Sequence, residues 1–368
     1  MRIALSFVTA TASVALTGCA SGAAEQAPAR RLNPRIVALG DNTWLRMKPP
    51  REPNGRNYSG CCLGDGKLGK VWYWGGGHFS YDCNDVDVYD LVRNRWTRSY
   101  KPERNPWGAK NRWAVSPREG SPTARHTYQQ VCWRPDRKLF FLHSGRNTWE
   151  FDPFKMTWTC VAGAHSKSKR FSPAPQGVQN VHCFYSPELK APVTIVSTGQ
   201  RGVYVYGVEK GWAKQKKGLP QKAVWQEMYS AHVPSLGVQL ISQRKAPWMW
   251  LYDAKAETWE PLADVPEAVR GCQALASDTA NEVVLGVVPD RKEKAKLKRL
   301  LVWAFDPATR KWAEVQPGAV VPRGWGSWAP LWYDADHHVF FLLNRIHQSR
   351  CETWVYRYKC SADKKDAD

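Results

Sequence analysis

A segment recurs along the chain in which a run of aromatic and β-branched residues ends at an aspartate, and a tryptophan follows six residues later. Tyr, Phe, Val and Trp favour the pleated surface of a β-sheet, whereas Asp, Pro, Gly and Asn favour tight turns. Each copy therefore predicts a strand, a turn and a short outer strand, with the final tryptophan packed between neighbouring units. The copies are residues 88–90 before Trp96, 149–152 before Trp158, 250–253 before Trp259, 303–306 before Trp312 and a weaker one, 203–206, before Trp212.

These anchor tryptophans recur at a nearly constant spacing, which indicates a repeat architecture. The successive spacings are 62, 54, 47 and 53 residues for Trp96, Trp158, Trp212, Trp259 and Trp312. A period of about 50 residues is typical of propellers and solenoids. Each unit also carries an upstream strand pair, of which residues 127–133 and 138–145 are one example. Four strands per unit correspond to one propeller blade.

One unit has a further signature, in which residues 70–77 (Lys-Val-Trp-Tyr-Trp-Gly-Gly-Gly) precede Tyr89, Asp90 and Trp96. This arrangement resembles a kelch repeat, and residues 41–360 resemble a kelch-type propeller of the galactose-oxidase central-domain kind. The resemblance implies an all-β fold of six four-stranded blades. Because kelch propellers include both enzymes and binding modules, the resemblance does not select a function.

The two ends of the repeat region complement each other. Residues 41–47 resemble an outer blade strand without a blade before it, whereas residues 354–358 lack an outer strand after them. We therefore expect the N-terminal strand to complete the last blade, which hides both sheet edges. The six expected blades are residues 56–100, 125–161, 178–214, 222–262, 268–315, and 324–360 together with 41–47.

The N-terminal residues have the features of an export signal. Arg2 provides a positive charge, residues 3–16 form an apolar stretch too short for a transmembrane helix, and residues 16–19 resemble a bacterial lipobox. The resemblance implies a lipoprotein signal at residues 1–19, lipidation of Cys19, and a location in the bacterial cell envelope at the outer membrane or facing the periplasm. The alternative is an ordinary secretory signal with an incidental cysteine. The remaining organisation is a flexible tether at residues 20–40, one propeller at 41–360 and a polar tail at 361–368.

The formal net charge of +20 favours an anionic partner. Nucleic acid is disfavoured because no nucleic-acid-binding motif is present, the charge is spread over every blade, and the signal directs the chain out of the cytoplasm. An acidic polysaccharide, a lipopolysaccharide or a membrane surface fits better. The charged run at residues 290–299 is interpreted as a solvated hairpin loop, with a basic patch for anions or membranes as the alternative. We expect a monomer held to the membrane by its lipid.

Nine cysteines remain after Cys19, so at least one is free or pairs outside the chain. An oxidising compartment permits disulfides, but the pairing stays open. The sequence has no CxxC motif and no Cys/His spacing typical of zinc, so we expect structural cysteines, no metal and no cofactor. The nine are Cys61, Cys62, Cys83, Cys132, Cys160, Cys183, Cys272, Cys351 and Cys360.

Ligands of propellers bind where the starts of first strands and the neighbouring loops line the central channel. Arginine recurs at matched positions of this kind, which predicts guanidinium groups facing an anionic ligand, since a guanidinium matches two oxygens at once. The alternative is that these arginines stack on tryptophan or bond loop carbonyls. The candidate ligand-binding residues are Arg56, Tyr58, His78, Tyr81, Arg125, Arg146, Glu227, Arg244 and Arg345.

The same region contains side chains suited to chemistry on an acidic sugar. Elimination requires an arginine or a metal to neutralise the carboxylate, together with a base and an acid that are commonly histidine and tyrosine. The candidate catalytic residues are His126, Tyr128, His182, Tyr185 and Arg201. Propeller-type polysaccharide lyases are similar in using this residue set, and a sugar isomerase or epimerase is a further alternative.

A copper-radical oxidase follows from the resemblance to galactose oxidase but is disfavoured. Such enzymes place an adjacent Tyr and His on a first strand as copper ligands. Here His126 and Tyr128 are separated by one residue and alternate to one face of the strand.

Taken together, the sequence features favour an extracytoplasmic, membrane-tethered propeller that binds an anionic ligand, preferably a carbohydrate, in its central channel. Whether it turns that ligand over is left open.

Overall fold

The regular structure is almost wholly antiparallel β-strand, as the aromatic and β-branched runs predict. The computed structural model describes residues 32–56, 61–65, 69–76, 81, 83–102, 120–122, 127, 129–137, 139–144, 147–163, 175, 181–197, 199–220, 228–316, 318–325 and 329–360, with only the backbone for 61–65 and 139–144. The predicted signal peptide with Cys19, the first part of the tether and the polar tail lie outside the described residues. Among the residues that are described, no helix is both long and apolar enough to span a membrane.

Five sheets are each built from consecutive strands that pair in chain order. The first is β2 (Cys61–Asp65), β3 (Lys70–Trp74), β4 (Asp87–Asp90) and β5 (Arg95–Arg98). The second is β6 (Val131–Arg134), β7 (Leu139–Ser144), β8 (Asn147–Asp152) and β9 (Thr157–Gly163). The third is β10 (Val181–Ser186), β11 (Ala191–Val196), β12 (Gly202–Gly207) and β13 (Gly211–Lys214). The fourth is β14 (Tyr229–Val233), β15 (Val238–Ser242), β16 (Met249–Asp253) and β17 (Thr258–Pro261). The fifth is β18 (Leu275–Asp278), β19 (Val283–Pro289), β20 (Lys298–Asp306) and β21 (Lys311–Val315), with β22 (Arg323–Gly324) paired to β20.

A composite sheet joins the two ends of the described chain. Its strands are β1 (Thr43–Arg46), β25 (Arg350–Arg357), β24 (Val339–His347) and β23 (Leu331–Asp334), in that order. The register places Thr43 opposite Arg357 and Arg46 opposite Trp354. The predicted pairing of the N-terminal strand beside residues 354–358 is therefore observed. The short helix α1 (Pro34–Val37) precedes β1, and its buried Ile36 shows that packing begins ahead of residue 41.

The first strands of successive sheets contact one another in chain order, and β23 of the composite sheet contacts β2. This closed ring confirms the all-β propeller arrangement. Five blades are continuous in sequence, and the number of strands differs among the sheets. The prediction of six uniform four-stranded blades is therefore wrong in its uniformity, because the sheets differ in their number of strands. The physical reason is the length of β20, whose first residues Lys298 and Arg299 extend past the β19 pairing and pair with β22 instead.

The recurring aspartate and tryptophan explain why each sheet forms and where it packs. Asp152 Oδ1 accepts hydrogen bonds from the backbone N–H groups of Phe154 and Lys155, which closes the turn before the outer strand. The following Trp158 lies 5.4 Å from the ring of Trp74 on the preceding sheet. Trp212 likewise donates from Nε1 to Thr148 Oγ1 of the preceding sheet at 2.8 Å. The tryptophans therefore pack between neighbouring sheets, as the sequence predicts.

Strand order also fixes which loops share one end of the propeller. In consecutive antiparallel strands, the loop leading into the first strand and the loop joining the second to the third lie at the same end. We call this end the upper face. Of the arginines that the sequence assigned to ligand binding, Arg56 and Arg244 are described and lie in such loops.

Candidate functional site

Loops of the fourth and fifth sheets enclose a cleft at the upper face. They are residues 243–248 between β15 and β16, residues 262–274 leading into β18, and the end of β19 with the loop after it. The cleft has a volume of about 510 Å³, and its charged, amide and aromatic lining residues are Arg244, Trp248, Glu267, Arg270, Gln273 and Arg291. Arg244 is the predicted ligand-binding residue that the cleft contains.

Backbone hydrogen bonds shape the loop that leads into β18. Residues Glu267–Val269 form a 3₁₀ turn, and Arg270 N–H donates to Glu267 O at 3.3 Å. Cys272 N–H then donates to Val269 O at 3.0 Å. Between them Gly271 has a φ of 68°, a left-handed conformation that glycine adopts without steric strain. These bonds place Arg270 beside the loop of the neighbouring sheet.

Arg270 is held against the aromatic wall of the cleft. Its guanidinium carbon lies 5.6 Å from the ring centroid of Trp248, and its Nε donates to Val265 O at 3.2 Å. Its own carbonyl oxygen accepts a hydrogen bond from Arg291 Nη2 at 2.7 Å. Two guanidinium groups are therefore fixed in position by protein atoms, which lowers the entropy lost when they bind a ligand.

The cleft is electropositive. Among the described residues that line it there are three guanidinium groups and one carboxylate, that of Glu267, and Arg244 and Arg291 are exposed. Guanidinium donors match carboxylate, sulfate or phosphate oxygens, while the half-buried Trp248 provides an apolar face. Among the described residues that line the cleft there is no histidine and no tyrosine. The arrangement is suited to holding an anion rather than to moving a proton.

Cys272 lies at the inner wall of the cleft but is chemically inert. Its Sγ donates to Ala274 O at 3.3 Å, and burial raises the pKa of its thiol to about 12. Because only the thiolate acts as a nucleophile or a metal ligand, this cysteine serves in neither role at neutral pH.

Arg56 lies away from the cleft, in a closed network of charges. Its Nη2 donates to Asp87 Oδ2 at 2.8 Å and lies 3.7 Å from Asp85 Oδ1. Its Nη1 donates to Gly75 O at 2.9 Å. The residue is 1 % exposed. Its guanidinium is directed at oxygen atoms of the protein.

Tyr81 belongs to the same network. Its hydroxyl donates to Asp85 Oδ1 at 2.6 Å, and its ring centroid lies 4.6 Å from the guanidinium carbon of Arg56. Burial, together with the hydrogen bond to Asp85, raises the pKa of Tyr81 well above its ordinary value. The phenol is therefore a neutral donor in the folded protein.

Arg345 is a second buried arginine. It is 3 % exposed, and its guanidinium carbon lies 4.5 Å from the ring centroid of Trp325. Its carbonyl accepts a hydrogen bond from Trp325 N–H at 3.1 Å. The stacking of arginine on tryptophan, which the sequence left as an alternative to ligand binding, is the geometry observed at this position.

His182 lies buried near the start of β10, and Ser230 of the neighbouring sheet is its partner. His182 Nε2 is 2.7 Å from Ser230 Oγ, which also accepts from Gln239 Nε2 at 2.7 Å. The serine hydroxyl therefore donates to a neutral imidazole. Within the described part of the chain, His182 Nδ1 has no hydrogen-bond partner. Burial lowers the pKa of His182 to about 3.

This shift predicts a pH dependence of stability. The unfolded chain takes up a proton at His182 near pH 6.5, the ordinary value, whereas the folded chain does so only near pH 3. Above pH 6.5, His182 therefore does not lower the free energy of unfolding. Below pH 6.5, that free energy falls by up to about 1.4 kcal/mol per pH unit until the pH reaches the folded-state pKa. Urea unfolding of His182→Phe at several pH values below neutrality should show a shallower acid slope than the parent chain. His347→Gln, exposed at the end of β24, controls for the loss of a histidine. Equal slopes in parent and His182→Phe would contradict the prediction.

The other described catalytic candidates are not brought together with His182. Tyr185 lies three residues further along β10, so its side chain leaves the opposite face of the strand, at about 10 Å. Burial, with the nearby Asp136, raises its pKa. Arg201 is exposed and donates from Nη2 to Pro220 O at 2.8 Å.

The remaining predicted site residues lie outside the described residues. They are the ligand-binding candidates Tyr58, His78, Arg125, Arg146 and Glu227 and the catalytic candidates His126 and Tyr128.

Sequence reasoning missed Trp248 and Arg291 as site residues. Trp248 follows a proline in the loop after β15, and the equivalent loops 75–86, 145–146, 197–201 and 290–297 of the other repeats contain no tryptophan that would have marked the position. Arg291 belongs to the run 290–299, which was interpreted as a solvated loop. The structure does show a hairpin there, organised by ion pairs such as Arg299 with Asp290 at 3.0 Å. Its first arginine nevertheless faces the cleft.

No protein-family model matches the chain, and no curated protein sequence matches it. The function proposed below therefore depends on the geometry of the cleft and on the residues of this chain alone.

Proposed function

We propose that the chain binds an anionic saccharide at the arginine-lined cleft of its upper face. The observation that carries the proposal is the set of three guanidinium groups that the described part of the cleft gathers around Trp248, with Glu267 as the carboxylate among its described lining residues. Guanidinium groups recognise a carboxylate or sulfate through paired hydrogen bonds, and an indole ring covers the apolar face of a sugar. The net charge of +20 adds long-range attraction for such a ligand. The proposal places the ligand between two sheets rather than in the central channel that the sequence suggested.

Binding without turnover is better supported than catalysis. An enzyme acting on acidic saccharides, of the lyase or epimerase type, needs a histidine and a tyrosine that converge on one ligand. Among the described candidates, His182 is 1 % exposed and Tyr185 points to the other face of its strand. Binding and catalysis are distinguished by incubating the protein with an oligouronate and measuring the ultraviolet absorbance of an unsaturated product. Formation of that product would replace the binding proposal with the lyase alternative.

We further infer that the propeller is kelch-like and is tethered outside the cytoplasm by lipid on Cys19. Residues 70–77 support the first inference and residues 16–19 the second. A mass spectrum of the mature protein from its host tests the tether. A lipid-modified N-terminal Cys19 is expected, and an unmodified chain beginning elsewhere would contradict it.

Replacing cleft arginines is expected to weaken binding of an oligouronate. Arg244→Ala and Arg291→Ala should each lower the affinity about tenfold, because each removes charge-assisted hydrogen bonds to the ligand. The loss should shrink as salt is added, since screening weakens the same attraction in the parent chain. Calorimetric titration at low and high salt measures both effects.

Two controls make this titration specific. Arg93→Ala removes the same charge from a side chain that is 81 % exposed on the turn after β4, and it should bind as the parent does. Trp248→Ala should weaken binding of the oligouronate while leaving the salt dependence unchanged. Equal affinity of the parent, Arg244→Ala and Arg291→Ala would show that the cleft is not the site.

A further inference from the structure

Two cysteines on neighbouring sheets face each other inside the ring of first strands. Cys132 of β6 and Cys183 of β10 have their Sγ atoms 3.5 Å apart. Both residues are buried, at 5 % and 3 % exposure. A backbone hydrogen bond also ties β10 to the segment just before β6, because Cys183 N–H donates to Gln129 O at 2.6 Å.

We propose that Cys132 and Cys183 form a disulfide that joins the second and third sheets. A disulfide needs an S–S distance of about 2.05 Å, so the two sulfurs must approach by about 1.5 Å, which small rotations of two side chains supply. The pair packs in a small cluster with Ala162 and Tyr206. Cys272, by contrast, directs its thiol at two backbone carbonyls, Ala274 O and Val287 O.

The redox step is a thiol–disulfide exchange with a small disulfide such as oxidised glutathione. A thiolate of the chain attacks the oxidant, which releases one thiolate and leaves a mixed disulfide; the second cysteine then attacks the mixed disulfide and releases the other. The two cysteine thiols lose two protons and two electrons in total, and the oxidant is reduced to two thiols. Burial raises the pKa of the Cys132 thiol well above its ordinary value. The exchange therefore takes place while the chain folds, before β6 and β10 close over the sulfurs.

Once formed, the bond would stabilise the propeller by constraining the unfolded chain. The two cysteines are 51 positions apart, so the bond closes a loop that includes most of the second sheet and the segment before β10. Closing a loop of this length with a disulfide should raise the melting temperature of a chain of this size by about 6 °C. Burial also protects the bond from reductants in the folded protein.

Refolding with and without an oxidant tests the proposal on the full chain. The reduced, denatured protein is refolded either in a mixture of reduced and oxidised glutathione or in dithiothreitol, free thiols are alkylated, and peptides are mapped by mass spectrometry without reduction. We expect a Cys132–Cys183 linked peptide and a higher melting temperature in the glutathione sample. Cys132→Ala/Cys183→Ala should melt at the same temperature in both conditions, whereas Cys360→Ser, an exposed site, should keep the difference.

The peptide map decides the question without any variant. Alkylated Cys132 and Cys183 in protein refolded with glutathione would overturn the proposal, as would a bond from either residue to another cysteine. If the double variant does not fold, the linked peptide of the parent chain still gives the answer.

Discussion

A chain truncated to residues 48–368 is expected to be mostly unfolded or insoluble, whereas a chain of residues 32–368 folds. The truncation removes β1, whose four residues pair with Trp354–Arg357 in the composite sheet. It also removes Trp44, which is 3 % exposed and lies 4.7 Å from the ring of Tyr356. Loss of one buried tryptophan side chain costs about 3–5 kcal/mol, and a domain has only about 5–15 kcal/mol of stability in total.

The newly exposed edge adds to this effect. Without β1, the eight-residue strand β25 presents unpaired N–H and C=O groups to solvent, which is a template for aggregation. Soluble yield and the urea midpoint measure the outcome. Two point variants in the longer chain separate packing from pairing. Trp44→Ala should lower the free energy of unfolding by several kcal/mol, while Arg46→Ala, whose side chain is 41 % exposed on the same strand, should change it by less than about 1 kcal/mol. Equal midpoints for the chains with and without β1 would contradict this role.

The architecture was predictable because it follows from local patterns with few solutions. The aspartates of the repeat close turns through short-range backbone hydrogen bonds, as at Asp152 and Asp253. Large aromatic residues must be buried, and the space between two adjacent sheets is where a propeller can bury them. The pairing of β1 with β25 was predictable for a similar reason, since each end of the chain had one unpaired edge.

The candidate site was less predictable, because the same residue type at equivalent positions meets different partners in three dimensions. Arg56 and Arg244 both lie in upper-face loops, yet Arg56 is buried against two aspartates and Arg244 borders an open cleft. The burial of Arg56 depends on Asp85, which lies in the loop between β3 and β4, and on Asp87, the first residue of β4. Sequence spacing marks which arginines share a face of the propeller, but not which of them are buried in the fold and which border the cleft.

Replacing Arg56 is expected to destabilise the fold rather than to abolish ligand binding selectively. Asp85 is 0 % exposed and Asp87 1 %, and Arg56 is the buried cation between them. Removing one partner of a buried ion pair leaves an uncompensated charge and costs about 3–5 kcal/mol. Arg56→Met should therefore lower the free energy of unfolding by that amount, measured by urea denaturation.

A double variant tests whether the cost comes from the carboxylates left without their buried cation. Arg51 and Arg98 approach the same aspartates, with Arg51 Nη2 3.4 Å from Asp87 Oδ1 and Arg98 Nε 3.2 Å from Asp85 Oδ2. Both are partly exposed, so they compensate only in part. Neutralising one acid as well, in Arg56→Met/Asp87→Asn, should recover part of the lost stability, because fewer buried charges remain unpaired.

The comparison with ligand binding is decisive for this residue. If Arg56 serves the fold, the folded fraction of Arg56→Met should bind an oligouronate with parental affinity, while Arg244→Ala shows the opposite pattern of parental stability and weakened binding. Arg93→Ala controls for the loss of one positive charge in both assays. Parental stability of Arg56→Met combined with lost affinity would instead assign Arg56 to the ligand. In that case Asp85 and Asp87 would tolerate burial without their cation, which the cost of desolvating a carboxylate opposes.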